Sequence, residues 1–163
     1  MSPDIDEKAI RHADAKTLTL LISRAKADAL VDKVTEPSLL ICSDQVIVHN
    51  GVIREKPVTA DECREYLRSY EHSPAVCVVS VVVVNTLTGK RVEGTDIATQ
   101  HFNKIPEHAI EALIAQGDVM HCAGGFTVEH MEEYTNRLEG EIECVTGLPK
   151  TLTVKLLEEA KRV

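Results

Sequence analysis

The sequence predicts an α/β fold in which a mixed central sheet is flanked by helices. Two apolar runs, at residues 38–48 and 75–84, carry this prediction because their length and β-branched content are typical of buried strands. The third observation is the recurrence of apolar and small residues at helical spacing over residues 15–31. The 163 residues are expected to form one domain, residues 1–163.

The first part of the chain predicts a short turn, a long helix and a strand. The turn spans residues 7–12, with Asp4 or Asp6 as a possible cap. The helix runs from about residue 15 to residue 31. The strand at residues 38–48 follows the helix directly, and its polar Ser-Asp-Gln segment interrupts an otherwise apolar run.

A second helix and two paired strands are predicted next. Thr59, with Glu62 three residues later, is a capping-box pattern that begins a helix ending near Tyr70. The valine-rich run at residues 75–84 is then a central strand covered on both faces. A hairpin leads to a half-exposed strand at residues 91–102, which should pair antiparallel with it.

The remaining third of the chain predicts three helices separated by turns. The first runs from residue 106 to residue 115, and Gly117 ends it. Residues 121–126 form a small-residue loop that lets backbone approach a ligand, although it lacks the Gly-Lys-Ser/Thr ending of a P-loop. A short helix is expected at residues 131–138 and an amphipathic helix at residues 151–162.

Composition excludes several classes of function. A net charge of −8 argues against nucleic-acid or membrane-surface binding. The five cysteines are dispersed without a C-x-x-C pair, which argues against a zinc site and fits a reducing compartment. No apolar run approaches the roughly 20 residues of a membrane span, and the polar N-terminus does not match a signal peptide. We therefore expect an intracellular protein.

Asp44 is the first candidate functional residue. It lies at the carboxyl end of the first predicted strand, where ligand sites of open α/β sheets are found. Lys56 follows twelve residues later, so the two would suit an anionic or metal-bound ligand. The alternative is that Asp44 caps a turn or a helix. Lys26, on the first helix, can likewise be read as part of a solvated helix face.

Six short motifs, in order and spacing, resemble the Maf (septum-formation) proteins over nearly the whole chain. They are Asp4-Ile5-Asp6-Glu7-Lys8, Arg24-Ala25-Lys26-Ala27, Ser43-Asp44-Gln45, Lys56-Pro57, His121-Cys122-Ala123-Gly124-Gly125-Phe126 and Gly147-Leu148-Pro149. The resemblance implies a nucleoside triphosphate pyrophosphatase that leaves a nucleoside monophosphate. It also implies a divalent metal cation (Mg²⁺ or Mn²⁺), an inosine-triphosphatase-like fold with an active-site cleft, a cytoplasmic location and a homodimer.

The resemblance also assigns residues. Asp44 matches the catalytic proton acceptor, and Glu7, Lys26 and Lys56 match polar active-site positions of the family. Gln45 also matches one of these positions, and its implied role is substrate binding. A carboxylate that takes a proton or binds a metal can activate water, so Asp44 and Glu7 are the metal-ligand candidates. The two lysines would offset the charge of the triphosphate and the leaving pyrophosphate.

Gln45 and Glu129 bear on the base. Family members that prefer thymidine or uridine triphosphates carry Thr and Gln at the corresponding positions, whereas this chain is more similar to the branch acting on 7-methyl-GTP. A carboxylate accepts hydrogen bonds from the N–H donors of guanine, and N7 methylation makes that base cationic. The alternative is that Glu129 is a surface acid.

Family members begin with a strand and a Ser-x-Ser-Pro-Arg-Arg loop that this chain lacks before Glu7. The expectation is therefore an N-terminally shortened domain without the usual first strand and without arginines to bind phosphate. An alternative function follows, a catalytically impaired nucleotide-binding or regulatory form. A thiol enzyme that uses Cys122 beside His121 is a further alternative.

Overall fold

The computed structural model describes residues 1–162. The helices are α1 (Ala15–Val31), α2 (Ala60–Ser69), α3 (Glu107–Gln116), α4 (Ile142–Val145) and α5 (Lys150–Lys161). The strands are β1 (Leu39–His49), β2 (Val52–Arg54), β3 (Ala75–Asn85), β4 (Arg91–Phe102) and β5 (Thr135–Glu139). Short 3₁₀ turns complete the chain, one of them at Glu7–Ala9. None of the described helices has the length and apolar character needed to span a bilayer.

Two helix starts follow from side-chain caps. Asp14 accepts hydrogen bonds from the backbone N–H of Thr17 at 3.0 Å and from its hydroxyl at 2.7 Å, which begins α1. Thr59 accepts from the N–H of Glu62 at 3.1 Å and begins α2, as the capping-box pattern predicts. Asp6 precedes the 3₁₀ turn at Glu7–Ala9 without a side-chain cap bond. The start of α1 is therefore fixed by Asp14 and not by the acids before it.

The five strands form one sheet in the order β2-β1-β3-β4-β5. The α/β prediction is confirmed, and the strand pairing is antiparallel, whereas the sequence predicts a mixed sheet. β1 pairs antiparallel with β2, and β4 with β5. A tight turn joins β3 to β4 through the Asn85 N–H, which donates to Lys90 at 2.8 Å. The Thr86 N–H, just after β3, donates to the carbonyl of Ser38, just before β1, so these two strands also run in opposite directions.

The predicted helix at residues 131–138 is wrong. The structure has a 3₁₀ turn at Glu132–Tyr134 followed by strand β5. Its residues pair with β4, for example Leu138 with Gln100 and Thr135 with Phe102. The edge of the sheet supplies hydrogen-bond partners that an isolated segment does not have, so the tertiary context decides its conformation.

The chain divides into two compact units. The first comprises Met1–Gln45, Val78–Asp96 and the segment that begins at Gly147. Its core is formed by α1 with β1 and β3 and includes Ala27, Leu30, Cys42, Val82 and Val84. The face of α1 that meets β3 also carries hydroxyls. Thr19 and Ser80 lie 2.6 Å apart, so these buried polar groups are hydrogen-bonded to each other.

The second unit comprises Val46–Cys77 and Ile97–Thr146. Its aromatic core brings the rings of Tyr70, Phe102 and Phe126 to centroid distances of 5.2–5.6 Å. On its surface, α2 and α3 are joined by two ion pairs, of which one is Arg68 with Glu107 at 2.8 Å. The left-handed Gly117, at φ +99°, ends α3 as the sequence predicts.

Candidate active site

Asp44 lies in β1 and is largely withdrawn from solvent. Its side chain is 11% exposed, and its Oδ2 atom is buried. The apolar residues of β1 place it there, because Cys42 and Val46 on either side are both buried. A carboxylate in such surroundings interacts with nearby charges more strongly than one in bulk water.

Lys26 of α1 is directed at this part of β1. Its ammonium donates to the carbonyl oxygen of Ser43 at 2.9 Å and lies 3.4 Å from Asp44 Oδ1. The Lys26 side chain is only 19% exposed, and its neighbour Ala27 is fully buried. The residue is therefore not part of a solvated helix face, and its charge is held against the strand.

Glu7 contacts the same ammonium. Its Oε1 lies 3.4 Å from Lys26 Nζ, and the 3₁₀ turn at Glu7–Ala9 positions it. Asp44 Oδ1 and Glu7 Oε1 each lie 3.4 Å from Lys26 Nζ. The two carboxylate oxygens are therefore separated by at most twice that distance. The structure thus brings together three of the predicted residues, Glu7, Lys26 and Asp44, in what we call the carboxylate–lysine cluster.

A cavity of about 250 Å³ adjoins this cluster in the first unit. Glu7, Lys26 and Ser43 supply its polar lining, and Leu30 and Ile41 contribute apolar walls. Ser43 is the residue whose carbonyl accepts from Lys26. The cavity therefore opens onto charged groups that could meet an anionic ligand.

The carboxylate pair fits a hard divalent cation. Mg²⁺ binds through one or two carboxylates and completes its coordination with water and substrate phosphates. Asp44 and Glu7 are two oxygen donors that already share one cationic partner. Over residues 1–162, no group of three or more His, Cys, Asp or Glu is arranged to hold a metal alone. The donor set therefore suits a cation shared with phosphate and not a closed protein cage.

Gln45 follows Asp44 at the point where β1 passes the Gly147 turn. A Cβ atom on Gly147 would lie 3.5 Å from Gln45 Oε1, and Gly147 has φ +109°. The Gly-Leu-Pro turn thus brings backbone close to this amide, and the left-handed conformation explains the glycine.

Lys56 belongs to the second unit and lies beside the small-residue loop. Its side chain is exposed, in the segment between β2 and α2. The preceding residue, Glu55, accepts a backbone hydrogen bond from Gly124 at 3.0 Å. This bond ties the Lys56 segment to the loop whose small residues suit the approach of a ligand.

Tyr70, which sequence reasoning does not single out, holds that loop in place. The Tyr70 hydroxyl donates to the carbonyl of Gly124 at 2.6 Å, and burial raises the pKa of this phenol. The Arg54 guanidinium lies 4.4 Å from the centre of the Tyr66 ring. The sequence predicts Tyr70 only as the end of a helix, because no local pattern indicates a contact 54 residues away.

Cys122 does not have the surroundings of a nucleophilic thiol. Burial and the nearby Asp118 raise its pKa, although Lys56 acts in the opposite direction. Its thiol lies 3.3 Å from the carbonyl oxygen of Asp118, to which it donates. Reactive cysteines have a lowered pKa, so the structure argues against the thiol-enzyme alternative.

Glu129 is exposed and lines a second cavity, which lies in the second unit and has a volume of about 380 Å³. It lies in the 3₁₀ turn Val128–His130. The buried Gln100 lines the same cavity but is not among the predicted residues. In the sequence Gln100 is one polar position of a weakly alternating strand, and nothing local distinguishes it.

Comparison with known proteins gives one family and several relatives. The family model described as Maf-like protein matches residues 1–160. A 7-methyl-GTP pyrophosphatase of Dictyostelium discoideum is 68% identical over 169 aligned positions, covering 99% of this chain and 86% of the relative. A nucleoside triphosphate pyrophosphatase of Synechococcus is 26% identical over 94% of this chain and 79% of its own. A dTTP/UTP pyrophosphatase of Clostridium perfringens is 28% identical over 84% and 72%, respectively.

Proposed function

The chain belongs to the Maf-like protein family, and from that membership we propose that it is a nucleoside triphosphate pyrophosphatase. It hydrolyses a nucleotide to the nucleoside monophosphate and pyrophosphate. The favoured substrate is 7-methyl-GTP, because the Dictyostelium relative is named as a 7-methyl-GTP pyrophosphatase. The observation that carries the proposal is the carboxylate–lysine cluster of Glu7, Lys26 and Asp44, joined by two contacts of 3.4 Å.

The cluster supplies the chemistry that this hydrolysis needs. A water oxygen attacks the α-phosphorus, the bond to the bridging oxygen of the β-phosphate breaks, and pyrophosphate leaves. Asp44 accepts the proton that the attacking water loses. Lys26 keeps a positive charge beside Asp44, and Lys56 is proposed to interact with the phosphates.

A divalent cation, Mg²⁺ or Mn²⁺, would be held by Asp44 and Glu7. When bound, it would neutralise phosphate charge and lower the pKa of a bound water. Glu7 is the more exposed of the two carboxylates, at 43% against 11% for Asp44. Glu7 is therefore the ligand that can adjust its position as the cation and its phosphates enter.

Gln45 and Glu129 are proposed to contact the substrate and to discriminate between bases. A carboxylate can only accept hydrogen bonds, whereas an amide can both donate and accept. Glu129 would therefore favour a guanine edge and the positive charge of its N7-methylated form. We further propose that residues 1–163 act as one Maf-like domain, in the cytoplasm and as a homodimer.

A screen of pyrophosphate release tests the proposal. The purified chain is incubated with 7-methyl-GTP, GTP, UTP or dTTP in the presence of Mg²⁺ or Mn²⁺. We expect release that depends on the cation and is fastest with 7-methyl-GTP. Binding of these nucleotides by calorimetry, without pyrophosphate from any of them, would instead support the impaired nucleotide-binding form.

Lys26→Met is expected to lower kcat/KM by about a hundredfold, the size of effect seen when one stabilising donor is removed from an active site. The change removes the ammonium that contacts Ser43, Asp44 and Glu7 while keeping an unbranched side chain. Pyrophosphate release over a range of substrate concentrations measures it.

The matched control for this variant is Lys16→Met, which makes the same change at an exposed position of α1. It should retain wild-type kinetics. Circular dichroism of both variants at the assay temperature establishes that they are folded. Equal activity of the two folded variants would remove Lys26 from the proposed site.

A further inference from the structure

The cavity that Glu129 lines is mainly apolar and carries a few hydrogen-bond acceptors. Glu129 and Glu132 contribute carboxylates, while Leu138 and Ile142 give it apolar walls. Among the described residues, no Lys, Arg or His lines this cavity. Its volume of about 380 Å³ lies within the range of about 300–1,000 Å³ found for small-molecule sites. Such a cavity suits a flat ligand with N–H donors along one edge and disfavours an anion.

Gln100 is the buried polar residue of this cavity. It is 2% exposed and lies on β4, opposite Leu138 of β5. Its amide nitrogen donates to the carbonyl of His101 at 3.0 Å and to that of Arg137 at 3.4 Å. Turning the amide over would place its oxygen against these two carbonyl oxygens, so the hydrogen bonds fix its orientation.

An irregularity of the sheet makes this arrangement possible. Between the pairs Gln100–Leu138 and Phe102–Thr135, β4 advances by two residues and β5 by three. The extra residue of β5 is a bulge, which disrupts the ladder locally and changes the direction of nearby groups. The carbonyl of Arg137 lies in this bulge and accepts from the Gln100 side chain. The amide nitrogen is therefore occupied by the protein, and the oxygen is the atom of the amide left for a ligand.

We infer that Gln100 is a specificity residue that accepts a hydrogen bond from the 2-amino group of a guanine base held in this cavity. The inference rests on the proposed function, from which the nucleotide is taken. The 2-amino group projects beyond the purine ring, so it is the donor that reaches a buried acceptor. Uracil and thymine present carbonyl oxygens on both sides of their one N–H, and these oxygens would face the acceptors of the cavity.

The test uses nucleosides, which carry no phosphate and need no metal. Binding of 7-methylguanosine and of 7-methylinosine, which lacks the 2-amino group, is measured by calorimetry on the full chain. We expect the wild type to prefer 7-methylguanosine by about tenfold, the value of one hydrogen bond of ordinary strength. In Gln100→Met this preference should fall towards one.

The matched control is Gln116→Met, the same change at an exposed glutamine that bonds to Asp118 and does not line the cavity. It should keep the wild-type preference. Because the preference is a ratio of two affinities in the same sample, it remains measurable if Gln100→Met is less stable. A second variant, Glu129→Gln, should weaken the binding of cationic 7-methylguanosine more than that of guanosine.

Two outcomes would overturn the inference. One is an unchanged preference in Gln100→Met, and the other is the absence of nucleoside binding to the wild type. Pyrophosphate release from 7-methyl-GTP is measured separately on the same preparations. If release persists while Gln100→Met keeps its preference, the inference about Gln100 fails and the proposed function stands. If no nucleotide yields pyrophosphate, the proposed function fails, while the nucleoside ratios still decide the role of Gln100.

Discussion

Asp44→Asn is expected to reduce pyrophosphate release by about a thousandfold, within the range attributed to a positioned acid or base. Asparagine has nearly the same shape but cannot accept a proton from water, and it also removes the negative charge that faces Lys26 at 3.4 Å. Single-turnover release from 7-methyl-GTP measures the loss directly, without a contribution from product dissociation.

Asp32→Asn provides the matched control for Asp44. Asp32 is an exposed residue that follows α1, so the same change there should leave the rate unaffected. Both variants should give the wild-type circular dichroism spectrum. If folded Asp44→Asn released pyrophosphate as fast as Asp32→Asn, another group would have to accept the proton.

Gly124→Ala is expected to destabilise the protein by about 3 kcal/mol, since it combines a strained backbone with overpacking of the core. A Cβ atom at this position would lie 2.5 Å from Ile47 Cγ1 and 2.7 Å from the Tyr70 hydroxyl oxygen. The residue also has φ +72°, a conformation that alanine adopts at a cost. Equilibrium unfolding in urea measures the change.

Gly89→Ala separates the two contributions. Gly89 has a similar φ of +78°, but a Cβ atom added there would meet no neighbouring atom of the described residues within 4 Å. It should therefore show only the backbone cost, about 1 kcal/mol. If the two substitutions lowered the free energy of unfolding equally, the core would have to accommodate the methyl group added at Gly124 without an energetic penalty.

The elements with strong local signals are predictable from the sequence. The helix over residues 15–31 has apolar residues at helical spacing, and α1 has these bounds. The Thr59 cap is likewise predicted from a four-residue pattern and is present. In contrast, β5 pairs with a strand more than thirty residues away, so its conformation is not encoded in its own sequence.

The candidate site is less predictable from local pattern alone. Lys26 falls between two alanines on a helix, and periodicity gives no reason to expect it against Ser43. Its assignment comes from the resemblance to the Maf proteins, as does that of Glu7. Gln100 has no such signal, because the role proposed for it depends on a bulge in the neighbouring strand. Residues whose function arises from two distant segments are the ones that sequence reasoning misses.

The short outer strands of the sheet have a consequence for solubility. β2 has three residues and β5 has five, whereas β1, β3 and β4 have eleven or twelve. While both short strands are in place, the parts of β1 and β4 that they pair with, residues 47–49 and 99–102, are not available to another molecule. Detachment of β5 alone would uncover the backbone groups of β4 at residues 99–102, a template on which a second chain could add. Under mildly denaturing conditions, aggregation should therefore begin from molecules in which β5 has detached, while the valine-rich strand β3 is still paired.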